Sequence, residues 1–173
     1  LKQSPSCIWY LQLHDHLVSQ DFWRSGYESC LYVRRGDSGG QLVVAVYVDD
    51  LVISGSSSAA VSAFKRSLAS KYHLTDLGEL SQILGIKVTS NRSRKCFYLQ
   101  QTLFVKDAIS KFGLDYLPAC RTPMDHTVDL TPTPGFKCDL STANRYRSMV
   151  GTLAWVAIWT RPELAFIVHK LQR

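Results

Sequence analysis

None of the five cysteines (Cys7, Cys30, Cys96, Cys120 and Cys138) lies close enough to another to form a CxxC pair, and no His/Cys grouping has zinc-finger spacing. Zinc-ribbon and dithiol redox functions are thereby excluded, and reduced, mostly buried thiols are expected. A long hydrophobic run is missing too. The uncharged stretch Ser148 to Thr160 contains Gly151 and Thr152 and falls well short of the roughly 18 apolar residues that span a bilayer, so no membrane partner is expected. The opening Leu1-Lys2-Gln3-Ser4-Pro5 has no initiator Met and no charged-then-apolar order of a secretory signal, which reads as an excised piece of a longer chain. No internal repeat appears, and no low-complexity tract beyond Ser56-Ser57-Ser58. Acidic residues are the scarcer charge: 14 Asp+Glu against 20 Lys+Arg leave a net +6 over 173 residues, which suits a polyanionic partner but also many bland proteins.

What is present describes a folded polypeptide. The apolar set makes up 46% of the chain, with four Trp, eight Tyr and seven Phe, enough burial to offset chain entropy. Trp9, Leu13 and Leu17 recur every four positions and predict a helix over residues 6–20. Leu31 to Val33 reads as a short strand, followed by a Gly-rich turn over residues 36–40. Leu42 to Val48 is a nearly continuous β-branched and aromatic run that resumes at Leu51-Val52-Ile53, so a buried hairpin with Asp49 and Asp50 at its turn is predicted. Ser56 to Ser58 offer N-caps for a helix to Tyr72 with the stripe Val61, Phe64, Leu68 and Tyr72. Residues 84–88 and 96–99 alternate around a basic tip, Asn91 to Lys95, as a second hairpin. A helix over residues 101–112 stops at Gly113. Four of the six prolines fall between Pro118 and Pro134, an extended connector. Tyr146, Met149, Val150 and Leu153 have helical spacing. A last helix from Pro162 is predicted, with Thr160 as N-cap and Glu163 completing a capping box. Hairpin sheets packed by helices make the fold class α+β.

Two adjacent carboxylates on an apolar hairpin repel one another unless a cation joins them. Hard oxygen ligands suit magnesium, which keeps positions for water and phosphate oxygens, and paired ions about 3.5–4 Å apart are the usual arrangement for phosphoryl transfer. Asp is also a favoured turn residue, so by residue type alone Asp49-Asp50 has two readings, turn chemistry and a cation site.

Tyr47-Val48-Asp49-Asp50 between two apolar strands resembles the YxDD motif of reverse transcriptases, and the surrounding chain is similar to the copia-type retrotransposon polymerases. Leu1-Lys2-Gln3-Ser4-Pro5 with Trp9-Tyr10 resembles that family's LKQ(S/A)P…WY segment. Asp76-Leu77-Gly78-Glu79-Leu80 with Leu84-Gly85-Ile86 resembles DLGEL…FLGI. Thr122-Pro123-Met124, Tyr146-Arg147-Ser148-Met149-Val150-Gly151 and Thr160-Arg161-Pro162-Glu163 resemble TPM, YRSMVG and TRPD.

The resemblance implies a partial right-hand polymerase. Residues 1–99 would be the later palm, 100–117 a thumb-like helix, 118–136 a Pro-rich connector and 137–173 a helical connection segment. It implies that Asp49 and Asp50 are two of three catalytic, metal-binding aspartates, with Mg2+ as the cofactor and Mn2+ as its substitute. The third carboxylate would lie outside this chain. Tyr47 would sit beside the primer end and incoming sugar, Gln3 would contact the nucleotide, and Leu84, Gly85 and Ile86 would form a primer-grip hairpin. Arg92, Arg94 and Lys95 would touch the nucleic-acid backbone, as would Lys106 and Lys111 on the thumb-like helix. A solvated hairpin tip and ordinary exterior lysines are the plainer readings of these five. The implied partners are an RNA or DNA template with its primer, deoxynucleoside triphosphates, and the rest of a Pol polyprotein (upstream palm and fingers, downstream RNase H). The implied location is cytoplasmic, in virus-like particles of an intact parent element.

Three departures accompany the resemblance. Ser6-Cys7-Ile8 separates Pro5 from Trp9 where the family has Trp sooner, Glu28 stands for a common Asp, and Glu163 replaces the Asp of TRPD. The chain by itself is expected to be inactive, with a free sheet edge where missing palm strands would pair. The alternative is a non-catalytic retroelement remnant that binds nucleic acid or only packs against partners.

Overall fold

The structure is a computed structural model that describes residues 5–36, 39–125, 127–131 and 133–173, with side chains from Ile8 onward. The chain divides into two compact units, Leu1–Glu79 and Leu80–Arg173.

In the first unit, helix α1 (Pro5–Ser19) buries Leu13 and Leu17 completely, as their four-residue spacing requires. It stops at Asp21, where φ is +61°, a left-handed conformation that short polar side chains tolerate. Strands β1 (Trp23–Arg24), β2 (Leu31–Arg35), β3 (Gln41–Tyr47) and β4 (Asp50–Gly55) form an antiparallel meander in that order. Helix α2 (Ser58–Lys71) is capped by the Ser57 hydroxyl, which accepts from the Ala60 N–H at 3.4 Å. Along β3 the pleat turns Leu42, Val44 and Val46 into a core shared with Leu13, Leu17, Phe22, Tyr32, Phe64 and Leu68. Each of these large side chains contributes about 1.5–3 kcal/mol by leaving water. A Cβ on Gly55 would come within 2.7 Å of Leu42 and 2.9 Å of Val61, so only glycine lets α2 approach the sheet this closely.

The hairpin is buried on one face only. Its continuous apolar run suggests burial on both, but α1 and α2 lie on the same side. Val43, Ala45 and Val52 on the other are only partly covered. Val48, counted in the strand by its residue type, sits in the turn and is 60% exposed. Among the described residues, nothing pairs with the outer edge of β4.

The second unit opens with strands β5 (Gln82–Ile83), β6 (Ile86–Asn91) and β7 (Cys96–Gln100), antiparallel in sequence order. Leu84 and Gly85 are not part of the strand that begins at Ile86. They form the two-residue turn between β5 and β6, with φ of +52° and +76°, the pair of positive values that a tight type I′ hairpin needs. Helix α3 (Thr102–Phe112) ends at Gly113, φ +66°. No helix or strand occurs in the described residues between α3 and α4 (Leu140–Trp159). Asp139 caps α4 by accepting from the Thr142 N–H at 3.0 Å.

The capping box expected at Thr160 does not form. Thr160 is the C-cap of α4, and its hydroxyl donates to Oε1 of the buried Gln101 at 2.8 Å. The chain continues as a short 3₁₀ turn (Pro162–Leu164) in which Glu163 pairs with Arg161, then α5 (Ala165–Leu171). Leu164, Ile167, Val168 and Leu171 form the inward side of this stretch, Val168 most completely buried. The cysteines also differ from expectation: Cys30, Cys96, Cys120 and Cys138 are all free, but two are half-buried and two exposed. The two exposed ones, Cys120 and Cys138, lie between α3 and α4, where the described residues form no helix or strand to enclose them.

His16 on α1 is 8% exposed, its Nε2 has no hydrogen-bond partner, and its Nδ1 lies 3.3 Å from Lys71 Nζ. Burial first and the Lys71 charge second hold it below the ordinary histidine value. The unfolded chain therefore binds a proton near pH 6.5 that the folded chain refuses. Stability is full above that pH and falls as the pH drops below it, by at most about 1.4 kcal/mol per pH unit for one proton. Urea unfolding at pH 5.5 and 7.5 should show the difference, and His16→Leu should flatten it; an unchanged slope in the variant would assign the effect elsewhere.

Candidate active site

The pairing of β3 with β4 places Tyr47 opposite Asp50 and leaves Val48 and Asp49 as the two-residue turn. Since Leu42, Val44 and Val46 point to the helices, the alternation of the strand sends Tyr47 and Asp50 to the uncovered face. Tyr47 is 52% exposed, and Asp49 and Asp50 are both exposed. The two carboxylates and the tyrosine ring thus stand at one rim of the unit, on a base of rigid strands.

The turn is held in an uncommon conformation. Val48 has φ +49°, and a β-branched residue in the left-handed region costs on the order of 1–3 kcal/mol. Its carbonyl accepts a hydrogen bond from the Trp9 indole Nε1–H at 3.1 Å. Trp9 is itself set edge-on against Tyr72, ring centroids 5.1 Å apart, and the Tyr72 hydroxyl donates to the Gln12 carbonyl at 3.1 Å. A link from α1 to the carboxylate turn is thus part of the site. Sequence reasoning placed Trp9 on a helix face and missed this bond, since no periodicity marks a contact between residues so far apart.

A second polar cluster lies between α1 and the sheet. The Tyr32 hydroxyl donates to Tyr10 at 3.2 Å and lies 2.9 Å from His14 Nδ1, and Arg24 also donates to Tyr10, at 3.3 Å. Burial, then the Tyr10 hydrogen bond, raise the Tyr32 hydroxyl well above the ordinary tyrosine value. This cluster bonds α1 to β1 and β2 and contains none of the expected site residues.

The remaining expected residues are distributed as follows. Gln3 lies outside the described residues. Leu84 and Gly85 make the β5–β6 turn, and Ile86 is fully buried at the start of β6. The basic tip Arg92, Arg94 and Lys95 is at the other end of β6, roughly 20 Å away at 3.3 Å per residue. There Asn91 Oδ1 accepts from the Arg94 N–H at 3.0 Å and shapes the loop. Lys106 and Lys111 are exposed on α3. At about 100° per residue they point some 140° apart, so they do not share a face, and the Lys111 ammonium lies 5.3 Å from the Phe112 ring centroid. The structure therefore brings Tyr47, Asp49 and Asp50 together in the first unit. The other described residues lie in the second unit, at separate places in it. Among the described residues no set of three or more His, Cys, Asp or Glu is grouped to hold a metal, and no helix is long and apolar enough to cross a membrane.

A family model described as reverse transcriptase (RNA-dependent DNA polymerase) matches residues 1–126. Over its whole length the chain is similar to retrovirus-related Pol polyproteins. It is 27% identical to that from transposon TNT 1-94 of Nicotiana tabacum, spanning 13% of that protein, and 29% identical to that from transposon RE1 of Arabidopsis thaliana, spanning 11%. It is 30% identical to a putative transposon Ty5-1 protein of Saccharomyces cerevisiae, spanning 54% of it. No solved structure matches the chain at a significant level.

Because the strain at Val48 is local and its side chain is mostly exposed, Val48→Gly is expected to stabilise the chain by about 1 kcal/mol. That is roughly 2–4 °C in the thermal midpoint. A lowered midpoint in a melting experiment would mean that the valine side chain makes a contact outweighing the relief.

Proposed function

This chain belongs to the reverse transcriptase (RNA-dependent DNA polymerase) family, and we propose that it is the later part of the polymerase of a copia-type retrotransposon Pol polyprotein, in which Asp49 and Asp50 hold the catalytic cations. The observation that carries this reading is the position of both carboxylates, exposed at the tip of a rigid hairpin inside the matched segment. Two adjacent exposed carboxylates offer the hard oxygen donors that Mg2+ prefers, and Mn2+ can substitute. When bound, such ions neutralise phosphate charge and make a primer 3′-hydroxyl more acidic. The chain's own contribution is placement: strands fix the carboxylates so that little reorganisation remains at the moment of attack.

On this reading Tyr47 flanks the primer end and the incoming sugar, and Gln3 contacts the nucleotide. The Leu84-Gly85 turn with Ile86 holds the primer. Arg92, Arg94 and Lys95, with Lys106 and Lys111, meet backbone phosphates. Residues 1–99 serve as later palm, 100–117 as a thumb helix, 118–136 as connector and 137–173 as connection segment. The third carboxylate comes from elsewhere in the polyprotein, as do fingers and RNase H. Since the chain spans 11–13% of the plant relatives, polymerisation on a primed RNA or DNA template belongs to the parent protein. The cytoplasm, within virus-like particles, is the corresponding location. The net charge of +6 and the exposed basic tip Arg92, Arg94 and Lys95 support a second reading, a remnant that binds nucleic acid without chemistry.

Thermal melting with and without Mg2+ tests the two. Saturating the site to ten times its Kd should add about 1.4 kcal/mol of stability, and Asp50→Ala should abolish the gain. Nucleic-acid binding that falls steeply with salt but ignores Mg2+, with no Mg2+-dependent melting, would make the remnant the correct reading. Primer extension by this chain alone that depends on Asp49 would overturn the claim that the third carboxylate lies elsewhere.

A further inference from the structure

We infer that Trp9 is a positioning residue for the carboxylate turn: its indole N–H sets the Val48 carbonyl and, with it, the direction in which Asp49 and Asp50 leave the hairpin. The inference rests on the reading of those two aspartates as a cation-holding pair.

The held carbonyl belongs to the peptide that joins Val48 to Asp49. A peptide is planar, so anchoring its oxygen also fixes the Asp49 N–H and Cα, from which the first carboxylate projects. The bond comes from α1 and spans 39 residues, so the turn is referenced to the helix layer as well as to its own two strands. Val48 occupies the left-handed region, a conformation that persists only where surrounding contacts over-determine it. The indole supplies such a contact. It is also held in place itself: its ring meets Tyr72 edge-on, and the Tyr72 hydroxyl is bonded to the Gln12 carbonyl on the next turn of the same helix. Trp9 is half-buried although the bond itself lies at an exposed position, and an indole has a single donor with no second orientation to offer.

The test is amide and indole hydrogen exchange by NMR on the full 173-residue chain. The Trp9 indole proton should exchange at least about tenfold more slowly than that of the exposed Trp23. Trp9→Phe keeps a ring on Tyr72 and removes the donor. It should speed exchange at Asp49 and Asp50 by about fivefold or more, while Leu13 and Leu17 stay within about twofold. In a Val48→Gly background, where positive φ is free of strain, the same substitution should change exchange at the turn by less than about twofold. A purely packing role for Trp9 would not respond to residue 48. Equal exchange at Asp49 and Asp50 with and without the indole overturns the inference. So does an indole proton as labile as that of Trp23, which decides the matter even if Trp9→Phe fails to fold. Mn2+ added to the same samples separates the two claims. Broadening at Asp49 and Asp50 that needs a threefold or greater rise in Mn2+ in Trp9→Phe supports both, whereas no broadening in the unmutated chain sinks the cation reading and leaves the exchange results to judge Trp9.

Discussion

The alternation of β3, with Leu42, Val44 and Val46 turned toward two helices, is the constraint from which the hairpin tip takes its direction. Strand side chains repeat every two residues, so once these three are buried, Tyr47 must face away from α1 and α2 and its partner Asp50 must follow. A slip of one residue would drive Tyr47 into the core beside Val43 and Ala45 and expose Leu42, Val44 and Val46, which pack on the two helices. The position of Tyr47 and Asp50 at the rim is therefore secured by packing at some distance from it. Gly55 contributes at the opposite end of the hairpin, where any side chain would collide with Leu42 and Val61 and push α2 away.

The second unit relies on a different economy. Its core is small, and specific polar bonds tie the helices at their ends. Gln101 meets Thr160, Arg145 donates to the Phe112 carbonyl at 2.8 Å, and the Tyr146 hydroxyl donates to the Leu171 carbonyl at 2.6 Å. Arg145 places a positive charge where the α3 dipole ends, a favourable position for a cation. Burying Gln101 is tolerable because its oxygen is satisfied, although its Nε2 is left without a partner.

How much of this could be read from the sequence depended on how local the cause was. Leu13 and Leu17, the Phe64 and Leu68 stripe, the Ser57 cap and the Gly113 stop are set by neighbours within a few residues, and each appears where the pattern puts it. Thr160 had the right residues for a cap, but its hydroxyl was claimed by a glutamine far away in sequence. Leu84 carries an apolar side chain suited to a strand, and alternation cannot separate it from a turn whose first residue happens to be leucine. Asp49 and Asp50 were legible as a carboxylate pair at the hairpin turn; the outward direction of Asp50 came from one-sided burial, which a continuous apolar run conceals. The Trp9 bond to Val48 is tertiary in origin, and spacing carries no trace of it.

The contact between Gln101 and Thr160 spans 59 residues, most of them connector and α4, and this bears on the order in which the molecule assembles. Closing a loop of that length costs roughly 3–4 kcal/mol of chain entropy, apart from a constant, and the cost falls due before the bond is made. The strands of the first unit's meander pair through short connections without that cost, although the Tyr72 contact with Gln12 that braces α1 spans 60 residues and is closed later. Emerging first from the ribosome, the carboxylate hairpin can be in place while the last helices are still seeking their partners.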